Sequence, residues 1–234
     1  MASLQQGLSL DRLVSYRPSG GSDLDMVTTY LWNVAQCEAL YHSLDALEVS
    51  MRNGVHNALV GHFRTAAWYD IPNLLLQREM DDIVYVKRKI ERSRKPVIPP
   101  RVVAGLNYGF WTSLLDTGYG NSIWTASNPA VLVQQAFPHA PRHLQVRSRA
   151  HRRFNEIRSL RNRVFHYEPV WKGVPMQNGQ IVRLGDLHHA VIDTIGWVDQ
   201  TLQASVVAFD RFPNLFQHGR ITVGWEIKQL LGIP

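Results

Sequence analysis

A chain of 234 residues with 45% hydrophobic content is long enough to bury a sizeable core, and one domain over 1–234 is the simplest expectation. No stretch reaches the roughly 18 uninterrupted apolar residues of a membrane span, and Met1-Ala2-Ser3-Leu4-Gln5-Gln6 lacks a basic-then-apolar leader pattern, so a cytoplasmic protein without membrane partners is expected. Net charge is +6, and Cys37 is the only cysteine, which excludes an internal disulfide or a multi-cysteine zinc site within one copy.

The elements follow in chain order. Ser19-Gly20-Gly21-Ser22 has the composition of a turn, and Ser22 or Asp23 can cap a helix running to about Glu38. Leu40, Leu44, Leu47, Met51, Val55 and Leu59 then mark one face of a long amphipathic helix, which can be continuous with the first. Cys37 falls among these helix formers as a packing residue. A third helix is predicted after Pro72 through Leu76, Ile83, Val86 and Ile90, stopping before Pro96. Pro99-Pro100 breaks the chain, and Val103, Leu106, Phe110 and Leu114 form a fourth apolar stripe.

Gly118-Tyr119-Gly120-Asn121 reads as a loop, and Asn128-Pro129 as the cap and start of a short helix that ends at Pro138 to Pro141. Leu144, Phe154, Ile157, Leu160 and Val164 carry a further helix that Pro169 stops. Asn178-Gly179 can turn a short hairpin. From Asp186 to about Phe209, Leu187, Val191, Ile195, Val198, Leu202 and Val206 make a last long helix. With no internal repeat or linker, the sum is an all-α bundle with irregular connections.

Charge is concentrated in two segments. Between Lys87 and Arg101, seven basic residues stand against Glu91, and between Arg142 and His166, eight arginines stand against Glu156. These segments carry +6 and +7, which leaves −7 on the remainder. Such a distribution suits a polyanion, because phosphate contacts dominate nucleic-acid affinity. Lys87, Arg88, Arg92, Arg94 and Lys95 on the first segment and Arg149, Arg152, Arg153 and Arg158 on the second are the candidate RNA-binding residues. A solvated helix face is the alternative for either segment.

Chemistry is concentrated in Arg161-Asn162-Arg163-Val164-Phe165-His166. An imidazole with a reference pKa of about 6.5 exchanges protons near neutral pH, and a guanidinium stabilises a phosphate crowded by an attacking oxygen. Ribonucleotide cleavage by the neighbouring 2′-hydroxyl needs both roles, leaves a cyclic phosphate and needs no cofactor or metal. Asn162 and His166 share a helix face, whereas Arg161 and His166 differ by about 140° of rotation. They converge through the length of Arg161, through a distorted last turn ahead of Pro169, or through a second copy of the helix. The structural alternative pairs Arg161 with an acid and makes His166 a helix cap.

Arg161-Asn162-x-x-x-His166 resembles the Arg-x4-His motif of HEPN ribonucleases. Tyr30-Leu31-Trp32-Asn33, Leu47-Glu48-Val49-Ser50-Met51-Arg52-Asn53, Phe110-Trp111 and Leu160 to Pro169 resemble, in order, the landmarks of the Abi-like family of abortive-infection proteins. The resemblance implies a HEPN-like helical domain and a homodimer in which two motifs form one composite RNA-cleaving site. It also implies a role in phage defence or as a toxin, with an antitoxin or guide-like RNA partner. By that resemblance Arg161 and His166 are the catalytic pair and Asn162 the supporting polar residue.

Glu48, Arg52 and His56 repeat every four residues beside the apolar stripe. They are either a structural ion-paired flank or, for Glu48 and Arg52, supports that orient Arg161 or His166. His188-His189, with Asp186 and Asp193, is a poor metal site, because adjacent residues point about 100° apart on a helix. His139 and His143 flank Pro141, which disfavours helical geometry between them. Trp32, Trp68, Trp111 and Trp124 are expected in the core or an interface. Besides a metal-free endoribonuclease, the sequence admits a non-catalytic RNA-binding module and a protein-interaction partner in a toxin and antitoxin pair.

Overall fold

The computed structural model describes residues 7–124 and 129–232. The chain is mainly α-helical and packs as two compact units, Met1–Leu44, Ser159–Ala190 and Val206–Pro234 forming the first, Asp45–Arg158 and Val191–Ser205 the second. Among the described residues no helix is long and apolar enough to cross a membrane.

Helix α1 (Leu10–Val14) is short, with the Ser9 hydroxyl accepting from the Arg12 amide. Helix α2 (Asp23–Phe63) joins the two expected N-terminal helices into one of 41 residues. Ser22 and Asp25 explain its start: the Asp25 amide donates to the Ser22 hydroxyl oxygen (3.1 Å) and the Ser22 amide to the Asp25 carboxylate (3.0 Å). This reciprocal capping satisfies two amides that the helix leaves without partners, and its hydrogen bonds hold the Asp25 carboxyl below its ordinary pKa.

In the first unit, Leu13, Met26 and Val27 pack with Ile227 of the last helix, α10 (Phe212–Leu231). Helix α10 lies beyond the last helix expected from the sequence, which ends at about Phe209. Leu215, Val223, Ile227 and Leu231 have helical spacing, and Pro213 falls at the second helical position, which its fixed φ suits. The Trp32 indole N–H donates to the Leu215 carbonyl (3.1 Å) within this unit.

In the second unit, α3 (Gln77–Arg92) starts later than expected, after a 3-10 turn at Trp68–Asp70, and buries Ile83 and Val86. The fourth apolar stripe is two helices rather than one, α4 (Pro99–Gly105) and α5 (Tyr108–Ser113). Asn107 separates them, its side chain accepting from the Phe110 amide (3.0 Å), a local bond that competes with helix continuation. Pro99-Pro100 starts α4 instead of only breaking the chain. Helix α6 (Pro129–Ala136) lies where a short helix was expected, though its expected cap, Asn128, falls outside the described residues.

Helix α7 (Arg147–Phe165) carries seven of the eight arginines of the second basic segment; Arg142 lies ahead of it in a 3-10 turn, Arg142–Leu144, which also leaves Leu144 outside the helix. Beyond it, Val174–Pro175 and Ile181–Val182 pair antiparallel as β1 and β2, with Val174 opposite Val182. Gly179 turns this hairpin at φ +81°, as the Asn178-Gly179 pair predicts. The expected helix over 186–209 is divided into α8 (Leu184–Val198) and α9 (Gln200–Ala208). The Asp199 carboxylate accepts from the amides of Thr201 (2.8 Å) and Leu202 (3.0 Å), so it caps a new helix where periodicity alone predicts an unbroken one.

Gly54 illustrates how closely the second unit packs. A Cβ there would lie 2.5 Å from the Ala136 carbonyl oxygen and 3.3 Å from Val198 Cγ1. Helix propensity favours alanine over glycine by about 1 kcal/mol, whereas overpacking costs about 1–3 kcal/mol, so Gly54→Ala is expected to lower stability. A raised melting temperature for that variant would show that the α6 end yields freely.

Candidate active site

The end of α7 is a helix stop of the Schellman type. Tyr167 adopts φ +57°, its amide donates to Val164 O (3.3 Å), and the Glu168 amide donates to Arg163 O (2.9 Å). His166 is thus the C-cap residue and is exposed, its amide donating to Asn162 O at 2.9 Å. The last turn is regular, not distorted as one route to convergence required. A non-glycine residue in the left-handed region is unfavourable, and the surroundings stabilise it. Arg12 (3.2 Å) and the Tyr16 hydroxyl (3.3 Å) donate to the Tyr167 carbonyl, and Arg163 binds the Glu168 carboxylate (3.2 Å) and the Pro169 carbonyl (3.3 Å).

Asn33 holds the segment that follows. Its buried carboxamide oxygen accepts from the amides of Val170 (2.8 Å) and Trp171 (3.2 Å), while its NH2 donates to Glu168 O (3.5 Å). The Arg161 guanidinium lies over the Phe165 ring, 4.4 Å from its centroid, and Phe165 packs on Tyr41 at 5.0 Å. Arg161 is therefore shelved on an aromatic ladder along the face next to the one shared by Asn162 and His166. A cleft of about 280 Å³ opens alongside, lined by Asn33, Cys37, Glu38, Tyr41, Phe165 and Tyr167 among others. Burial pushes the Cys37 thiol up to about 11, so it stays protonated at the cleft wall and serves as a packing group, as expected.

Phe165, Tyr41, Glu38 and Asn33 complete this neighbourhood, and the sequence reading assigned none of them to the site. Phe165 was legible, four residues after Arg161 on one helix face; Tyr41 and Glu38 carry no local signal. Arg161, Asn162 and His166 belong to the first unit, Glu48 and Arg52 to the second. Glu48 and Arg52 are half-buried on α2, and the Arg52 Nε donates to Asn53 Oδ1 at 3.5 Å. His56, third in that series and half-buried, accepts at Nδ1 from the Trp68 indole N–H (3.0 Å).

The two basic segments differ in what their cations do. In the second, Arg147 donates to Leu115 O (2.5 Å), Arg149 to His143 O, and Arg153 lies 5.6 Å over Trp197. Arg158 packs beside Gly109, while Arg152 is exposed. In the first, Lys87 pairs with Asp70 (2.5 Å) and lies 5.4 Å over the Tyr69 ring, and Arg101 donates to Pro96 O. Arg88, Lys89, Arg92, Arg94 and Lys95 are exposed with no ion pair among the described residues.

His188 Nε2 lies 2.6 Å from Asp210, both side chains are buried, and the ring stacks on Phe212 at 4.5 Å. His189 Nδ1 bonds Gly185 O instead. Among the described residues no three His, Cys, Asp or Glu side chains gather as a metal-binding group. Burial lowers the His188 pKa, outweighing the attraction of Asp210, and burial likewise lowers His56 and His151. These rings take up a proton less readily in the fold than in the unfolded chain, so as pH falls the unfolded state binds more protons. Their stabilising effect is complete above the unfolded value of about 6.5 and is lost as pH falls through the lowered folded values. The melting temperature is expected to fall between about pH 7 and about pH 5, with a shallower slope in His188→Gln; a flat profile in the wild type would contradict this.

No protein family, curated protein or solved structure matches this chain.

Proposed function

We propose that this chain is a metal-independent endoribonuclease of the HEPN type, related to the Abi-like proteins, that acts in phage defence or as a toxin. The observation that carries the proposal is an exposed imidazole, His166, at a buttressed helix stop, one residue beyond the ring on which the Arg161 guanidinium rests. In this chemistry His166 takes the proton of a ribose 2′-hydroxyl. The oxygen attacks the adjacent phosphorus, Arg161 stabilises the crowded phosphate, and the 5′-oxygen leaves with the proton that the His166 imidazolium gives back. The products are a 2′,3′-cyclic phosphate and a 5′-hydroxyl. Asn162, on the His166 face, orients the imidazole or the phosphate.

A homodimer would bring two such pairs to one strand, and a partner RNA or protein would hold the toxin in check. The exposed cations of α3 favour a second reading, an RNA-binding module without catalysis, since they serve binding whether or not a bond breaks. Product ends separate the two: cyclic phosphate termini that vanish in His166→Ala support the enzyme, and RNA recovered intact from the wild type overturns it.

A further inference from the structure

The outward face of α3 is the stripe Asp81, Val84, Tyr85, Arg88, Lys89 and Arg92, which lines a surface groove of about 520 Å³. These positions recur at three and four residues, so they form one continuous face, while Ile83 and Val86 turn inward. Tyr85 is 65% exposed in this stripe. A solvent-facing phenol on a helix whose core face is already satisfied adds nothing to packing. Its neighbours at three, four and seven residues onward are Arg88, Lys89 and Arg92, all exposed and without ion pairs among the described residues.

We infer that this face is a binding site for single-stranded nucleic acid, with Tyr85 stacking on one unpaired base and Arg88, Lys89 and Arg92 holding the adjoining phosphates. The inference rests on the RNA-binding part of the proposed function and not on cleavage at His166.

Charge sets which end of the groove takes the phosphates. Asp81, whose Oδ1 accepts from Gln77 at 2.8 Å, makes the N-terminal end of the groove unfavourable for phosphate, so the backbone lies toward Arg92 and the base toward Tyr85 and Val84. The exposed Arg94 and Lys95 extend the positive surface past the helix end. A duplex hides its base faces and offers Tyr85 nothing to stack on, whereas every unpaired base has a face, so the site selects strand state and not sequence. Three arginines of α7 compete poorly for this role, because Arg147, Arg149 and Arg153 are engaged within the chain.

The test uses the full chain and a single-stranded 2′-O-methyl oligoribonucleotide carrying one 2-aminopurine. No 2′-hydroxyl attack can cut this probe, so the outcome is independent of whether the protein is a nuclease. Binding is expected to quench the 2-aminopurine in wild type and in Tyr85→Phe. In Tyr85→Ala the quenching should be lost and affinity should fall about 5- to 100-fold, the range of one base stack. The triple variant Arg88→Gln, Lys89→Gln, Arg92→Gln should reduce the slope of log affinity against log salt by about 2, near 0.7 per phosphate, while quenching at saturation persists. Quenching and affinity unchanged in Tyr85→Ala, tighter binding of the annealed duplex, or association with phosphatidylserine vesicles but not with the oligonucleotide would each overturn the assignment.

Discussion

His166→Ala is expected to reduce RNA cleavage by about 10²- to 10⁴-fold, the usual contribution of a positioned proton-transfer group, with folding and RNA binding retained. Retention follows from its position: His166 is exposed at the C-cap, and its backbone amide, not its ring, closes the bond to Asn162 O. Arg161→Ala should lose activity comparably, but it also uncovers Phe165 in the ladder with Tyr41, so part of its effect is structural. Arg161→Lys separates the contributions, because an ammonium keeps the charge but gives up the forked donors. If transition-state phosphate binding requires the fork, Arg161→Lys stays inactive at unchanged melting temperature. Cleavage persisting in both His166→Ala and Arg161→Ala would remove this pair from the mechanism.

The largest stability effect is expected at Trp68. Its side chain is fully buried, with Tyr69, Trp111 and Phe110 ring centroids at 5.6, 6.3 and 6.5 Å. Burying roughly 200 Å² of indole at about 25 cal/mol per Å² is an upper bound near 5 kcal/mol, in line with the 3–5 kcal/mol typical of Trp→Ala. Trp68→Ala also leaves the His56 Nδ1 acceptor without its donor, which adds about 1 kcal/mol or more. Domains are stable by about 5–15 kcal/mol, so this one change removes a large share. At this chain length about 4 kcal/mol corresponds to a fall of roughly 8–16 °C in melting temperature. Trp68→Phe should lose much less, since it keeps most of the area and gives up one hydrogen bond. A Trp68→Ala protein melting within about 3 °C of wild type would refute the packing account.

Much of the helical architecture was legible because its signals are local. The apolar stripe from Leu40 to Leu59 is buried as its spacing requires, and Ser22 starts its helix through a bond to a residue three positions away. Pro169 follows the helix stop, and Gly179 turns the hairpin. Local signals failed where two were in competition. At Asp199 an unbroken periodicity meets a side chain that caps a new helix, and the capping bond prevails. Past Pro213 the apolar residues carry a helical spacing as well.

The site divides along the same line. The sequence by itself determined that a histidine and an arginine end one basic helix and that positive charge is gathered in two segments. Tertiary structure decided which charges face outward. Lys87 pairs with Asp70, seventeen residues away, and Arg147 reaches a carbonyl thirty-two residues away, while Arg88, Lys89 and Arg92 remain exposed. It also brought Tyr41 under Phe165 and tied Asn33 to Val170, contacts across more than a hundred residues. Periodicity reports how often a residue turns inward along its own helix, whereas a partner is chosen by chain closure between distant segments, which no local spacing encodes.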